Sequence, residues 1–274
     1  MEKPIVVTPP KKIEFPDIKG IWNYRDLLYF LVISNLKTRF QQTLIGVFWI
    51  VLQPLIQMSI FYVILGVLVK VPTGDIPYHI FYLSGFVVWQ VFNQIVNTSA
   101  NSLVGNIGII TKTYFPRLVL PLASTISAVI DFLVSFTVLM VFLQIEHYPI
   151  SPRFFLLPIL LIITLFFSMG VGLLFGALMV VFRDIKNLLG FVLQIWMFIS
   201  PIIYPVSIVP DRYKFFVYLN PLTGLIGGYR WVFLMTENTP SFINLTVSSI
   251  VAFLLLLAGM IAFRTMETRV ADVL

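Results

Sequence analysis

The sequence contains no cysteine and few charged residues. With no cysteine among its 274 residues, disulfide bonds and thiol chemistry are excluded. Lys, Arg, Asp and Glu together make up 11% of the chain, whereas a soluble domain has roughly 25%. Hydrophobic residues make up 59%. This balance excludes an ordinary soluble domain and indicates a protein that lies in a lipid bilayer.

The motifs of most enzymes are absent as well. The sequence has no Gly-x-x-x-x-Gly-Lys-Ser/Thr motif, so it does not bind nucleotide phosphates by that route. Its two histidines, His79 and His147, lack the spacing of metal ligands. There is no serine nucleophile motif and no evident pair of catalytic carboxylates. We therefore expect no metal, no cofactor and no catalytic residue in this chain.

Long apolar runs dominate what is present. A membrane-spanning helix needs about 20 mainly apolar residues, and six runs of about this length are separated by charges and turn residues. We predict an all-α polytopic membrane protein with a transmembrane domain over residues 44–263. The six predicted spans cover residues 44–69, 78–104, 118–145, 153–182, 188–205 and 244–263.

Basic residues lie unevenly on the two sides of these spans. If the N-terminus is cytoplasmic, thirteen of the 18 Lys and Arg residues fall on the cytoplasmic side and five on the outer side. Membrane proteins carry such an excess in their cytoplasmic segments. The net charge of +6 is thus a topology signal rather than a sign of nucleic-acid binding. Both termini, including the tail 264–274, are predicted to be cytoplasmic.

The first 43 residues are predicted to precede the spans. Residues 1–21 are polar and Pro-rich without the apolar stretch of a secretory signal, and we expect a cytoplasmic arm there. Residues 22–43 place apolar side chains on one helical face, which predicts an amphipathic helix along the inner leaflet. A simple membrane anchor and a functional helix both fit this pattern. The apolar face comprises Trp22, Tyr29, Ile33, Leu36 and Phe40.

A short basic segment, residues 105–117, connects the second and third spans. It contains Lys112 and Arg117 and no acidic residue, so its charge predicts a cytoplasmic position. Its Tyr-Phe-Pro core is more apolar than a plain connector requires. We therefore expect this segment to contact another molecule.

Few polar residues interrupt the spans. Asp131 lies near the middle of the third span, and an intramembrane acid is a candidate functional residue. No second buried charge accompanies it, which favours a structural acid hydrogen-bonded to a neighbouring helix. Gln53 and Gln57 share one face of the first span and are expected at a helix interface or a watery lumen. In the fourth span, Gly172-x-x-x-Gly176 predicts a close-packing face.

The fifth span ends in Ser200-Pro-Ile-Ile-Tyr-Pro205, where two prolines interrupt the helix. Residues 206–240 are too apolar for a free loop, yet neither half is long enough to cross. We predict two short re-entrant helices in the outer leaflet, hinged at Asn220-Pro221.

Aromatic residues are abundant, at 15% of the chain. Aromatic faces stack on the apolar faces of sugar rings, so a lumen lined by them would suit a glycan, although lipid-facing or packing roles are the alternative for each residue. The candidates for a channel lining, with the two glutamines, are Phe48, Trp49, Gln53, Gln57, Tyr62, Trp89, Phe92 and Trp196.

Short motifs in a fixed order run through nearly the whole chain: Arg25-Asp26, Leu36-Lys-Thr-Arg-Phe40, Leu44-Ile-Gly-Val-Phe-Trp49, Pro54-Leu55, Asn106, Lys112, Tyr114-Phe-Pro-Arg117, Pro121, Arg183-Asp-Ile185, Ser200-Pro-Ile-Ile-Tyr-Pro205, Val209-Pro210, Asn220-Pro221 and Tyr229-Arg230. Together they resemble the permease subunit of a polysaccharide-exporting ABC transporter, the O-antigen and teichoic-acid class of type-2 ABC exporters. Asn35 and Phe40 depart from this family, which usually has an acidic residue and a tyrosine there.

The resemblance implies a homodimer around a central channel in a bacterial cytoplasmic (inner) membrane. Each copy would dock a separate ATPase subunit that binds ATP and Mg²⁺, and a lipid-linked polysaccharide would be exported. The implied contacts with the ATPase involve Asn106, Lys112, Tyr114, Phe115, Pro116, Arg117, Arg183 and Asp184. The N-terminal helix would add Arg25, Asp26, Lys37 and Arg39. The outer helices would form a gate with Tyr204, Pro205, Asn220, Pro221, Tyr229 and Arg230.

Two other functions remain open at this point. A drug- or lipid-exporting ABC permease would share the topology, but its lumen need not present aromatic residues that stack on sugars. A membrane-embedded lipid-modifying enzyme would need a catalytic cluster at one interface, and Asp131 alone at mid-membrane does not provide one.

Overall fold

The computed structural model describes residues 22–40, 48–110, 115–149, 151–182, 184–235 and 242–267, and all regular elements within these ranges are helices. The predicted arm 1–21 and most of the predicted tail 264–274 lie outside the described residues. The α-helices are α1 (Arg25–Phe40), α2 (Phe48–Phe61), α3 (Tyr78–Ala100), α4 (Ser102–Gly105), α5 (Ile107–Ile110), α6 (Val119–Ile145), α7 (Leu157–Val181), α8 (Ile185–Ile199), α9 (Asp211–Leu219), α10 (Pro221–Leu234) and α11 (Phe242–Glu267).

Three short segments of other helix types adjoin these elements. Helix α2 continues as a π-helix over Tyr62–Leu68, which the sequence analysis did not foresee. A 3₁₀ turn over Pro152–Leu156 leads into α7, and another over Val206–Ile208 precedes α9. The π-helix lengthens α2 and the first 3₁₀ turn lengthens α7, so neither apolar helix is interrupted by a loop.

Four of the six predicted spans are helices long and apolar enough to cross a membrane. They are Phe48–Leu68, Val119–Ile145, Pro152–Val181 and Phe242–Met266. Helix α3 has 23 residues and is about 34 Å long, but polar side chains lower its hydropathy. Helix α8 has only 15 residues, or about 22 Å, and is shorter than the hydrocarbon core of a bilayer.

Prolines and an asparagine set the ends of the outer helices. Helix α8 stops at Ile199 because Ser200 adopts an extended backbone and Pro201 follows it. Asn220 caps α10 by accepting a hydrogen bond from the Leu222 N–H, with Pro221 at the first helical position. The break predicted at Asn220-Pro221 is therefore present, between two short helices, α9 and α10.

Helix α3 lies at the centre of the core. Its side chains pack against α6, α7 and α10, and Tyr82, Phe92 and Ile95 are fully buried. Helix α10 is also a core element, with Tyr229 and Phe233 fully buried. By contrast α8 is mostly exposed and α2 is largely half-buried, and both contact α3. The most buried helix is thus one that carries polar residues.

Glycines on α7 allow close contact with two helices. A Cβ atom at Gly172 would lie 2.7 Å from the Ser99 Cβ on α3, and one at Gly170 would lie 2.5 Å from the backbone of Leu255 on α11. Gly176 approaches the Ala100 backbone in the same way as Gly172. The packing face predicted from Gly172-x-x-x-Gly176 is confirmed, and it faces α3.

Helix α1 packs along the start of α6. Leu31 and Val32 are buried against Phe115 and Val119, and Leu36 packs on the edge of the same cluster. The prediction that Leu36 lies on the apolar face directed to the membrane is therefore wrong, because Leu36 packs against the protein. Trp22, just before α1, and Tyr29 on α1 are 69% and 70% exposed. The position of this helix along the inner leaflet stays a prediction.

Candidate functional site

A polar groove of about 270 Å³ lies between α2, α3 and α8. Each of the three helices contributes at least one side-chain amide, and none of the described residues that line the groove is charged. The lining residues are Gln53, Gln57, Phe86, Trp89, Gln90, Asn93, Asn97, Gly190, Leu193, Gln194 and Met197. Such a surface offers hydrogen bonds together with aromatic and apolar contacts, which is the composition of a ligand site.

Helix α3 supplies most of this lining through one stripe. Phe86, Gln90, Asn93 and Asn97 are spaced by three or four residues and therefore share one helical face. The sequence analysis identified Gln53 and Gln57 but missed this stripe. The period of the polar residues in the second span was the signal that could have revealed it.

Hydrogen bonds fix three of the groove amides. The Tyr82 hydroxyl donates to Gln57 Oε1 at 3.3 Å, and the Ser135 hydroxyl donates to Gln90 Oε1 at 2.9 Å. Asn97 Nδ2 donates to the backbone oxygen of Asn93 at 2.9 Å and to Asn93 Oδ1 at 3.0 Å. Tyr82 and Ser135 lie behind the groove on α3 and α6, so buried hydroxyls orient two of the amides, while Asn97 is itself part of the lining.

Asp131 belongs to the polar layer between α3 and α6. It is 2% exposed, and Gln94 Nε2 on α3 donates to its Oδ2 atom. This contact lies one helical turn from the Ser135–Gln90 bond. Gln90 and Gln94 are four residues apart on α3, and their partners Ser135 and Asp131 are four residues apart on α6, so the two hydrogen bonds lie side by side. The geometry agrees with the structural role that the sequence favoured for Asp131.

The predicted channel aromatics separate into three groups. Trp89 lines the groove, together with Gln53 and Gln57. Phe92 and Trp196 instead pack edge to face at 5.2 Å, so Phe92 is a core residue and does not line the groove. The other candidates are exposed and lie outside the groove: Phe48 and Trp49 on α2, and Tyr62 in its π-helical extension.

A second, apolar pocket of about 400 Å³ lies between α8, α9 and the start of α10. Trp196 forms part of its wall, and the Trp196 Nε1–H donates to Asn220 Oδ1 at 3.0 Å. Because this polar atom is satisfied within the protein, the pocket presents mainly hydrocarbon and differs chemically from the polar groove.

Arg230 ties the turn after α8 to α3. Its guanidinium donates to the backbone oxygens of Pro201, Ile202 and Phe81 at 2.7, 2.9 and 3.1 Å, and its carbon lies 3.6 Å from the centre of the Phe81 ring. A Cβ atom at Gly85 would lie 2.8 Å from this guanidinium. Residue 85 must therefore be a glycine for the arginine to occupy this position.

The other residues predicted for an outer gate are also fixed by contacts. Asn220 Nδ2 donates to the Ser200 hydroxyl at 2.8 Å, and Pro221 begins α10. The Tyr204 hydroxyl donates to the Ile199 oxygen at 2.7 Å, just before Pro205. Tyr229 is fully buried beside Thr164, with 3.4 Å between their hydroxyl oxygens.

One ion pair lies on the surface of α9. Lys214 Nζ lies 2.7 Å from Asp211 Oδ1. Hydrogen bonding between the two side chains lowers the pKa of Asp211 and raises the pKa of Lys214 from their ordinary values. Both charges are exposed, so the pair marks a solvated edge of this otherwise aromatic helix.

The predicted ATPase-coupling residues are partly described. Lys112, Tyr114 and Arg183 lie outside the described residues. Phe115 is 4% exposed and contacts α1 and α6, so its ring is not part of an open surface. Asn106 Nδ2 donates to the Ser102 oxygen at 2.9 Å. The remaining residues of this group are the half-buried Pro116 and Arg117 and the exposed Asp184.

The polar residues predicted on the N-terminal helix lie away from the core. The Arg25 Nε atom is 3.9 Å from Asp26 Oδ1, and both side chains are exposed, as is Lys37. The side chain of Arg39 lies outside what the structure describes. These charges are positioned to contact water, lipid headgroups or a partner.

Comparison with known proteins places these features in context. Residues 26–234 match the ABC-2 type transporter family. The chain is 28% identical over 252 residues to the O-antigen export system permease protein RfbA of Klebsiella pneumoniae, covering 91% of this chain and 95% of that protein. RfbA of Myxococcus xanthus is 26% identical over 219 residues, covering 79% and 83%. The polysialic acid transport protein KpsM of Escherichia coli is 26% identical over 243 residues, covering 86% and 92%.

Proposed function

The chain belongs to the ABC-2 type transporter family, and from this premise we propose that it is the permease subunit of an ATP-driven exporter of a lipid-linked polysaccharide. The observation that carries the proposal is the uncharged groove of amides with Trp89 between α2, α3 and α8. The amides of this groove can hydrogen-bond a sugar chain, and Trp89, which is 5% exposed, adds a small apolar contact rather than an open ring face. The names of the relatives, which export O-antigen or polysialic acid, agree with this substrate class.

The proposed topology has six crossings and two cytoplasmic termini. The four long apolar helices would cross directly. Helix α3 would also cross, because its polar side chains face other helices or the groove and not lipid. Helix α8 would complete its crossing with the turn over residues 200–205. Helices α9 and α10 would re-enter the outer leaflet. The excess of Lys and Arg on one side supports this orientation in a bacterial cytoplasmic membrane.

The energy for export would come from a partner. The sequence lacks a phosphate-binding loop, so ATP and Mg²⁺ would bind to a separate ATPase subunit, one for each of two permease copies. Residues 105–117 and α1 would receive the movement of this ATPase. Phe115 packs against α1, which supports the proposal that α1 and this segment move together. Two copies would place their exposed α2 and α8 faces around a shared channel.

The test is co-purification with the ATPase encoded beside this chain, followed by an ATPase assay in nanodiscs. We expect polysaccharide to stimulate hydrolysis in the wild-type complex. A Gln90→Leu/Asn93→Leu double variant should lose stimulation but keep basal hydrolysis, because the groove loses its amides and the coupling surface is untouched. Leu133→Ile on the exposed face of α6 is the control. Failure of the ATPase to co-purify, or stimulation unchanged in the double variant, would contradict the proposal.

A further inference from the structure

The orientation of the groove amides defines what they offer a ligand. A side-chain amide has an oxygen that accepts hydrogen bonds and an N–H₂ group that donates them. In Gln57, Gln90 and Asn93 the oxygen already accepts a hydrogen bond from within the protein. The N–H₂ group of each is the end without a partner in the described part of the chain. Asn97, also in the lining, uses its Nδ2 atom instead, so its oxygen is the end without a partner in the described residues. The wall therefore presents three donor ends and one acceptor end.

The orientation of Asn93 is the best determined of the three. Asn97 Nδ2 donates to the backbone oxygen of Asn93, which fixes the direction of the Asn97 amide. The same nitrogen donates to Asn93 Oδ1, so turning the Asn93 amide over would set two N–H₂ groups against each other. Asn93 Nδ2 is consequently directed away from Asn97.

The other two amides are held by hydroxyls of buried residues. Ser135 is 1% exposed and lies on α6, while Tyr82 is fully buried on α3. Each hydroxyl donates to the amide oxygen in front of it. Gln53 and Gln194 have no hydrogen-bond partner within the described ranges, so either end of their amides can face a ligand. The bias toward donors thus comes from the three fixed amides.

We propose that this groove selects polymer segments with anionic oxygens, carboxylate or phosphate, over neutral sugars. The inference rests on the proposed export function and specifies its substrate class. Hydrogen bonds to an ionised acceptor are roughly twice as strong as those between neutral groups. A sugar hydroxyl, which must also donate, finds fewer acceptors here. Neutral amides also let the polymer move on, whereas an arginine would hold a carboxylate in a tight bidentate pair.

The experiment measures binding to the full permease–ATPase complex in nanodiscs by fluorescence anisotropy. The acidic probe is a labelled sialic-acid tetramer, and the neutral probe is the same tetramer with its carboxyl groups reduced to alcohols. We expect the acidic probe to bind about tenfold more tightly, which corresponds to about 1.4 kcal/mol. The anion could belong to the sugar units or to a lipid-linked diphosphate, and farnesyl diphosphate as a competitor distinguishes these two sources. If it displaces the acidic probe, the groove also binds a lipid diphosphate. If it does not displace the probe, the donors bind the sugar units.

Three variants connect the preference to the fixed amides. Asn93→Asp replaces a donor with a carboxylate and should abolish the preference. Ser135→Ala releases Gln90 and should reduce the preference severalfold while affinity for the neutral probe stays the same, because Ser135 lies outside the lining. Asn97→Ala releases Asn93 and should also reduce the preference, but it removes a lining amide as well, so only the ratio of the two affinities is compared for it. Thr137→Ala, at an exposed position on α6 outside the groove lining, removes only a hydrogen bond to the Leu133 oxygen and is the control.

Each outcome decides between the proposals. Equal or tighter binding of the reduced tetramer overturns the preference for anions and leaves the export function standing. An unchanged preference in all three variants overturns the assignment to these amides. Absence of binding by either oligosaccharide contradicts the export proposal as well.

Discussion

In the topology proposed above, the outer end and the cytoplasmic end of the membrane domain are held together by different kinds of contact. At the outer end, Arg230 donates to three backbone oxygens, and Asn220 joins α8 to α10 through side-chain hydrogen bonds. At the cytoplasmic end, α1 packs on α6 through apolar residues, with Leu31 and Phe115 at the centre. Hydrogen bonds fix distances and angles, whereas apolar contact is non-directional.

This difference indicates where the protein can adjust its shape. The turn over residues 200–205 has its oxygens paired at set positions, so it is expected to move only together with α3. Helix α1 can slide or rotate on α6 while keeping apolar surface buried. A permease driven from the cytoplasm needs such a compliant contact on the driven side and a rigid frame on the other.

The largest expected effect is that of Arg230→Met. The substitution leaves the oxygens of Pro201 and Ile202 without their donor, and we expect unfolding free energy to fall by about 3 kcal/mol. SDS titration in mixed micelles measures this change. Arg212→Met, on the exposed surface of α9, is the matched control and should be nearly neutral. A similar loss in both variants would remove the distinction between the outer frame and the surface.

Asn220→Ala is expected to cost somewhat less, about 2 kcal/mol. It removes the cap of α10 and leaves the Trp196 indole N–H and the Ser200 hydroxyl without this partner. The same titration measures it, and Trp196 fluorescence should report a wetter environment. If Asn220→Asp restores the stability but not the Ser200 contact, the cap rather than the tie to α8 is the main contribution.

Phe115→Leu is expected to cost about 1 kcal/mol, because a non-directional cluster tolerates a smaller apolar side chain. Its effect should fall on the stimulation of the ATPase more than on stability, since α1 and residues 105–117 are then less firmly joined. Phe215→Leu, at a largely exposed position on α9, is the control. A stability loss as large as that of Arg230→Met would show that the cytoplasmic contact is equally specific.

The smallest effect is predicted for Lys214→Met. The Lys214–Asp211 pair is exposed, and such pairs contribute little because water screens them. We expect no measurable change in unfolding. The pKa of Asp211 should return upward toward its ordinary value, which carboxyl NMR titration detects. A clear loss of stability would show that α9 also belongs to the part of the protein held by specific polar contacts.

Features set by local sequence were predictable. Four spans, the break at Asn220-Pro221 and the close-packing face of Gly172 and Gly176 all follow from apolar length, backbone-breaking residues or small side chains. Each depends on residues that are near one another in the chain. The start of the fifth span was predicted three residues after the start of α8 at Ile185, whereas its predicted end at residue 205 lies six residues beyond Ile199.

The composition of the groove was harder to predict because it depends on neighbours distant in sequence. Trp89 and Phe92 are alike in type and three positions apart, yet Trp89 reaches the groove and Phe92 packs against Phe167 and Trp196. Their positions follow from where α7 and α8 cross α3. The burial of Phe115 likewise depends on α1, more than 70 residues earlier, and no periodicity in residues 105–117 encodes it.

The amides of α3 also have a consequence for biosynthesis. Gln90 and Gln94 find their partners, Ser135 and Asp131, on a helix that is translated later. A segment with these amides partitions poorly into lipid on its own. We therefore expect α3 to stay at the insertion machinery until α6 emerges, so that the two helices enter the bilayer together as a hairpin. Substitutions at Ser135 would then delay integration before they alter the finished protein.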